Sequence, residues 1–173
     1  SLDELAWGGE RFPVDLQRQA LAQACDDGQC YAEKPTGWLY VCGPCGAGKS
    51  HLAAAIANHL AMRGQGVTYA SVPDLLRFIR RGFGDGAADE RLDALMRVDV
   101  LVLDDLGSEN LTAWAAEQLF LLLNARYLAA RATVLTSNDR PEALPARLQS
   151  RIAEQAQIIW MPISDYRQLQ GRG

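Results

Sequence analysis

The sequence predicts an α/β fold, a doubly wound parallel sheet, on three observations. Five short apolar runs recur along the 173 residues: Leu39–Cys42, Val67–Ser71, Val100–Asp104, Thr133–Thr136 and Ile158–Met161. Most are rich in Val, Leu and Ile, as expected for strands covered on both faces. Helical patterns separate them, which implies right-handed βαβ crossovers. A glycine-rich stretch also joins the first strand to the helix after it.

Residues 1–36 hold no strand pattern. Leu16, Ala20 and Ala24 repeat at helical spacing there, so this segment reads as a helical lead-in leaning on the sheet edge, or as the remnant of a linker. The main domain then spans 37–173. Ser50–Met62 is an Ala-rich helix. Pro73–Arg81 starts another, with proline at an early position where its missing N–H costs nothing. Gly82–Ala88 reads as a flexible surface loop. Trp114–Arg131 is the longest predicted helix, with Leu119, Leu122 and Leu123 on its buried side, and Glu142–Glu154 follows Pro141.

Composition excludes several classes. With 49% hydrophobic and 22% charged residues, the chain matches an ordinary soluble globular protein rather than a disordered or fibrous one. No apolar run reaches the ~18 residues that cross a bilayer. The N-terminal Ser-Leu-Asp-Glu has neither a basic nor an apolar signal region, so the expected location is cytoplasmic, with no membrane partner. A net charge of −4 argues against a large DNA-coating surface but allows a local groove. Of 17 basic side chains only Lys34 and Lys49 are lysines, which singles out Lys49. Cys42 and Cys45 form a CxxC, and zinc ligation with Cys25 and Cys30 is conceivable. It would occupy the glycine-rich loop, and four packed thiols are the simpler reading.

Gly43-Pro44-Cys45-Gly46-Ala47-Gly48-Lys49-Ser50 fits GxxxxGK[ST] between a strand and a helix. Its glycines let backbone N–H groups converge on phosphate oxygens, and the helix N-terminus adds positive potential. The loop, with His51 behind it, is therefore expected to cradle a nucleoside triphosphate, most simply ATP. Lys49 should reach the β- and γ-phosphates, and the Ser50 hydroxyl should ligate Mg²⁺. The apolar run Val100–Leu103 ends in Asp104 and Asp105 at the carboxyl edge of the sheet, where open α/β folds bind ligands. Asp104 is the natural second partner of Mg²⁺, and Asp105 can turn toward an attacking water. Many ATPases carry the longer Glu at this position, so Glu109 is a substitute candidate. Thr136-Ser137-Asn138 closes the fourth strand, and the Asn138 amide can orient a water without adding charge. Arg147 and Arg151 share a helix face. Arg167 lies beyond the last strand, where it could fold back on the phosphates of its own subunit.

These residues, in this order, resemble the AAA+ ATPases of the DnaC/IstB type, the bacterial helicase loaders and transposition helper ATPases. The resemblance runs from about Trp38 to Arg167. It rests on Trp38 through Asn58, Leu101 through Gly107, Asn124-Ala125-Arg126-Tyr127, Thr136-Ser137-Asn138, Ser150-Arg151-Ile152 and Asp165-Tyr166-Arg167. It implies a P-loop NTPase fold: a three-layer αβα sandwich on a five-stranded parallel sheet of order 5-1-4-3-2, without a full helical lid. Asn138 then corresponds to the sensor-1 residue, Arg151 to an arginine finger acting on a neighbouring subunit's ATP, and Arg167 to a sensor-2-like arginine. The resemblance also implies a nucleotide-dependent homo-oligomer, single-stranded DNA, and a replicative helicase or a transposase as partner. Arg77, Arg80 and Arg81 are the DNA candidates by position and charge. Phe12 and Val14 are candidates for the base pocket. The loaders carry an N-terminal partner-binding domain, and nothing of that size precedes Leu39 in this sequence, so either this chain is a fragment or its partner contacts differ.

Four functions fit to different degrees. The first is an ATP-hydrolysing helicase loader acting in DNA replication. The second is an IstB-type transposition helper. A small-molecule kinase would need a lid arginine pair that is missing between the fourth and fifth strands. A nucleotide-sensing adaptor with little hydrolysis gains weight from Asp105 standing where Glu is common.

Overall fold

A computed structural model describes residues 13–107 and 112–163. The sheet is parallel, with strands β1 (Trp38–Cys42), β2 (Val67–Ser71), β3 (Val100–Leu106), β4 (Ala132–Ser137) and β5 (Ala156–Trp160) in the order β2-β3-β4-β1-β5. That is the predicted order read from the other edge. Helices α1 (Val14–Glu33), α2 (Lys49–Met62), α3 (Val72–Asp85), α4 (Ala88–Arg97), α5 (Ala113–Leu128) and α6 (Ala146–Gln155) cover it. Among the described residues no helix is long and apolar enough to cross a membrane.

Alternation along each strand divides the core in two. Trp38, Tyr40, Leu101, Leu103 and Leu135 face α3, α5 and α6. Leu39, Val41, Val100, Val102 and Val134 face α1 and α2. All five residues of β1 and all six of β4 are buried, so neither strand shows a polar face in its sequence. Small residues let α2 lie flat on the sheet through Ala53 and Ala57. At Gly28 of α1 a Cβ would lie 2.7 Å from Leu52 Cδ1, so glycine is what allows α1 to pack on α2. Tyr31 anchors the end of α1 by donating to Gly37 O at 3.0 Å. Within the lead-in, Val14–Glu33 is a helix packed on the edge of the sheet, with Ala24, Tyr31 and Ala32 in the core, while residues 1–12 lie outside the described residues.

Strands β3 and β4 extend one or two residues beyond the sequence reading, and four other differences stand out. The expected loop Gly82–Ala88 is mostly helical: α3 runs to Asp85, Gly86 closes it with φ +77°, and α4 follows at once. Gly82 read as a breaker, but it marks a close crossing, because a Cβ there would sit 2.6 Å from Ala88 Cα. Helix α5 stops at Leu128 rather than Arg131, where Ala130 turns the chain with φ +50°. The single helix expected over Glu142–Glu154 is a 3-10 turn at Pro141–Ala143, then Pro145, then α6. Strand β5 begins directly after α6, two residues earlier than expected.

Candidate nucleotide site

The glycine-rich loop leaves β1 and enters α2 with Gly48 as its N-cap at φ +98°, a left-handed conformation that favours glycine. Strand order does the rest. Strand β4 lies between β1 and β3, and so sets its carboxyl end between the loop and the acidic pair. Cys45, Gly46, Gly48, Lys49, Ser50 and His51 line one cavity of about 380 Å³ together with Asp104, Asp105, Thr136 and Asn138. Gly43, Pro44 and Ala47 shape the loop: Ala47 is fully buried, and the other two present their carbonyls to Lys49.

Lys49 donates from Nζ to Gly43 O at 2.8 Å, to Pro44 O at 2.9 Å and to Asn138 Oδ1 at 2.8 Å. It is only 7% exposed, and burial holds its pKa below the ordinary lysine value. Its three N–H bonds are thus saturated by the protein itself. An incoming phosphate must draw at least one of them away.

The second half of the cavity is built on Asp104. Ser50 Oγ donates to Asp104 Oδ1 at 2.9 Å, and Thr136 Oγ1 donates to the same oxygen at 2.5 Å. Thr136 Oγ1 in turn accepts from Asp105 N at 2.9 Å. That contact accompanies a left-handed Asp105, φ +65°, and a register irregularity between Leu103 and Leu106. A hydroxyl and a carboxylate side by side form a hard-oxygen pair, which suits Mg²⁺. Among the described residues no cluster of His, Cys, Asp or Glu could cage a metal alone. Mg²⁺ is commonly bound by one or two protein oxygens together with substrate phosphates, and Ser50 with Asp104 can supply such oxygens. The residues present therefore fit the ion.

Two site residues escaped the sequence reading. Thr136 stood in a quoted motif, but its role depends on β4 lying beside β3. Tyr69, on edge strand β2, reaches the same carboxylate: burial and then a hydrogen bond to Asp104 raise its pKa above the usual phenol value. The pairing Ser71↔Asp104 carries this signal, and it is invisible until β2 is known to flank β3.

Other candidates lie elsewhere. Arg151 sits on α6, outside the cavity, with its guanidinium 4.3 Å from the Tyr127 ring centre. Arg147 lies over Phe120 at 5.5 Å. On α3, exposed Arg77 pairs with Asp74 at 2.7 Å and Arg80 stacks over Trp114 at 4.7 Å, while Arg81 is exposed. Val14 is exposed at the start of α1. Phe12, Glu109 and Arg167 lie outside the described residues. Cys42 is buried, but Cys25, Cys30 and Cys45 are exposed, so packing accounts for only one of the four thiols.

Comparison with known proteins agrees with this geometry. The profile of the family described as "IstB-like ATP binding protein" matches residues 31–156. The replicative helicase loader DnaI of Bacillus subtilis (strain 168) is 33% identical over 107 residues, 61% of this chain and 34% of DnaI. An ATP-binding protein of insertion sequence IS1162 from Pseudomonas fluorescens is 36% identical over 155 residues, 78% of this chain and 67% of that protein. A crystal structure of DnaI superposes with a TM-score of 0.69 at 29% identity, covering 81% of this chain and 80% of that one. The chain therefore spans only about a third of the curated loader that it matches, and two thirds of the insertion-sequence protein. The P-loop cavity, the AAA+ strand order and a family match over most of the chain lead to one assignment: this chain belongs to the IstB-like ATP-binding proteins.

Proposed function

We propose that the chain is the ATP-hydrolysing core of a DNA-replication loader. On this reading ATP binding assembles copies on single-stranded DNA and a replicative helicase, and hydrolysis releases them. The observation that carries it is the paired arrangement round one cavity: Lys49 with Asn138, and Ser50 with Asp104. Backbone N–H groups and Lys49 would bind the triphosphate. Ser50 and Asp104 would hold Mg²⁺, which neutralises charge between the phosphates. Asn138, once released by Lys49, would orient water near the γ-phosphate. Asp105, lining the same cavity, would polarise that water. Arg167 remains a proposed sensor of the same subunit's phosphates. Arg151 does not line this cavity. A phosphate contact from it would be made to the ATP of a second copy, and turnover would then depend on assembly.

The test is an ATPase assay against protein concentration, with and without single-stranded DNA. Specific activity should rise with concentration, and Arg151→Ala should bind ATP normally yet lose the rise. Unchanged stimulated turnover in that variant would remove the trans-acting role. The family match and the insertion-sequence relative support a second reading, a transposition helper with the same cavity. Capture of a transposase instead of a replicative helicase would favour it. The kinase reading has little support, since β4 joins β5 through one 3-10 turn and one ten-residue helix.

A further inference from the structure

Helices α5 and α6 meet along a seam of matched side chains. On α5, Phe120, Asn124 and Tyr127 fall at spacings of four and three and so share a face. On α6, Arg147, Arg151 and Glu154 do the same. Each arginine lies over an aromatic ring, Arg147 over Phe120 at 5.5 Å and Arg151 over Tyr127 at 4.3 Å. Beyond that likeness the two differ. Arg151 also donates from Nε to Asn124 Oδ1 at 3.1 Å, and its Nη1 lies 3.5 Å from Glu154 Oε2. Glu154 is itself held, by the Tyr127 hydroxyl at 2.6 Å and by Ser150 Oγ at 3.3 Å.

These contacts fix the guanidinium in three ways. The ring of Tyr127 sets its plane, the amide of Asn124 sets its rotation through Nε, and Glu154 limits the swing of Nη1. None of them uses Nη2. The side chain keeps 29% of its surface in solvent. A long arginine side chain loses rotamer freedom when it is held by a ligand, and a fork already in place loses less per bond formed.

We propose that Asn124 and Tyr127 are positioning residues for Arg151, holding its guanidinium preset, Nη2 leading, for the phosphates of a nucleotide bound by a second copy of this chain. The inference rests on the trans-acting reading of Arg151 given above. The amide of Asn124 supplies the rotation, and the ring of Tyr127 supplies the plane. The Tyr127 hydroxyl donates to Glu154 and also lies close enough to Arg151 to feel its charge, but the ring is what the guanidinium lies over, so the plane is assigned to the ring. Arg147 has a ring but no Asn124 equivalent among these contacts, and it is not preset in this way.

The test compares Asn124→Ala, Tyr127→Ala, Tyr127→Phe, Arg151→Ala and the double variant Asn124→Ala/Arg151→Ala, each in the full chain. ATP affinity comes from a fluorescent analogue, and kcat and KM from DNA-stimulated turnover at high protein concentration. Asn124→Ala and Tyr127→Ala should each lower kcat by roughly 10-fold or more, the size of one lost charge-assisted bond. KM and analogue affinity should stay within about 2-fold, as expected for an interaction made only in the transition state. Tyr127→Phe should keep near-parental kcat, a rescue that a merely structural tyrosine would not show. The double variant should be no slower than Arg151→Ala alone, because the residues act as one unit. A kcat loss in Arg151→Ala without any loss in Asn124→Ala would overturn the positioning proposal and leave the trans-acting reading standing. Parental turnover in Arg151→Ala would overturn both. A second measurement does not depend on turnover. In the nucleotide-free protein the Arg151 Nε–H should give a resolved, slowly exchanging ¹⁵N signal that Asn124→Ala collapses into the bulk arginine envelope. If that signal is already averaged in the parent, the preset geometry is refuted.

Discussion

Replacing Lys49 by alanine should separate nucleotide affinity from folding stability. The parent ammonium is saturated by Gly43 O, Pro44 O and Asn138 Oδ1; Asn138 borders the cavity and Pro44 is exposed, but the bond to Gly43 O is buried. Its loss leaves the buried Gly43 carbonyl without that donor. Burial also disfavours its charge, which the lowered pKa records. The two effects oppose each other: an orphaned buried carbonyl costs about 1–3 kcal/mol, relief of the buried charge offsets part of it, and the net loss should stay under about 2 kcal/mol. The phosphates, in contrast, lose a charge-assisted donor worth about 1.5–3 kcal/mol, or roughly 10- to 150-fold in Kd. Thermal shift reads both effects at once. Nucleotide at about 100 times the parental Kd adds ~2.7 kcal/mol. At about 2–4 °C per kcal/mol for a chain of this size, that raises Tm by roughly 5–11 °C. A variant binding ~30-fold more weakly keeps only about 0.9 kcal/mol, or roughly 2–3 °C, at the same concentration. A parental ligand-induced shift in Lys49→Ala would refute the phosphate-binding role of Lys49. A ligand-free Tm that falls by more than about 8 °C in the variant would also refute this account.

Two further outcomes follow from the same contacts. Arg126 is fully buried and donates to the carbonyls of Leu95, Met96, Val98, Asp99 and Ala132 and to Thr133 Oγ1; burial lowers its pKa to about 10, so it stays charged at neutral pH. Arg126→Met should cost about 3–5 kcal/mol, the range for breaking one side of a buried charged network. That should lower Tm by roughly 6–20 °C while leaving the folded fraction's ATP affinity intact, and a drop under about 2 °C would contradict this account. Ser50→Ala should remove the Mg²⁺-dependent part of ATP affinity, so that titrations in magnesium and in a chelator coincide for the variant but not for the parent.

What could be read from the sequence depended on how local the information is. The loop and Asp104 are local: one eight-residue stretch, and one apolar run ending in acid, carry their own chemistry. Asn138 could be placed near Lys49 only through an assumed strand order, which the structure shares. Thr136 and Tyr69 were missed because their partner, Asp104, is reached across strands, and cross-strand register is not written in either segment alone. Arg126 was missed for a different reason. It continues the spacing of Leu119, Leu122 and Leu123 and so falls on the buried face of α5, but a charged residue on that stripe reads as a solvated flank. Gly82 misled in the opposite direction, since a glycine admitting a neighbouring helix looks the same in sequence as one ending its own.

The interposed strand acts as a spacer with a chemical label on its tip. Two steps of about 4.8 Å separate β1 from β3, so the lysine and the acid are held apart by a distance that backbone hydrogen bonding, rather than any side chain, dictates. Neither end can drift toward the other in the absence of nucleotide. Evolution, or an engineer, can therefore exchange the two polar residues at the end of β4, which touch both ends, to tune how the two halves communicate without altering the gap a triphosphate must fill.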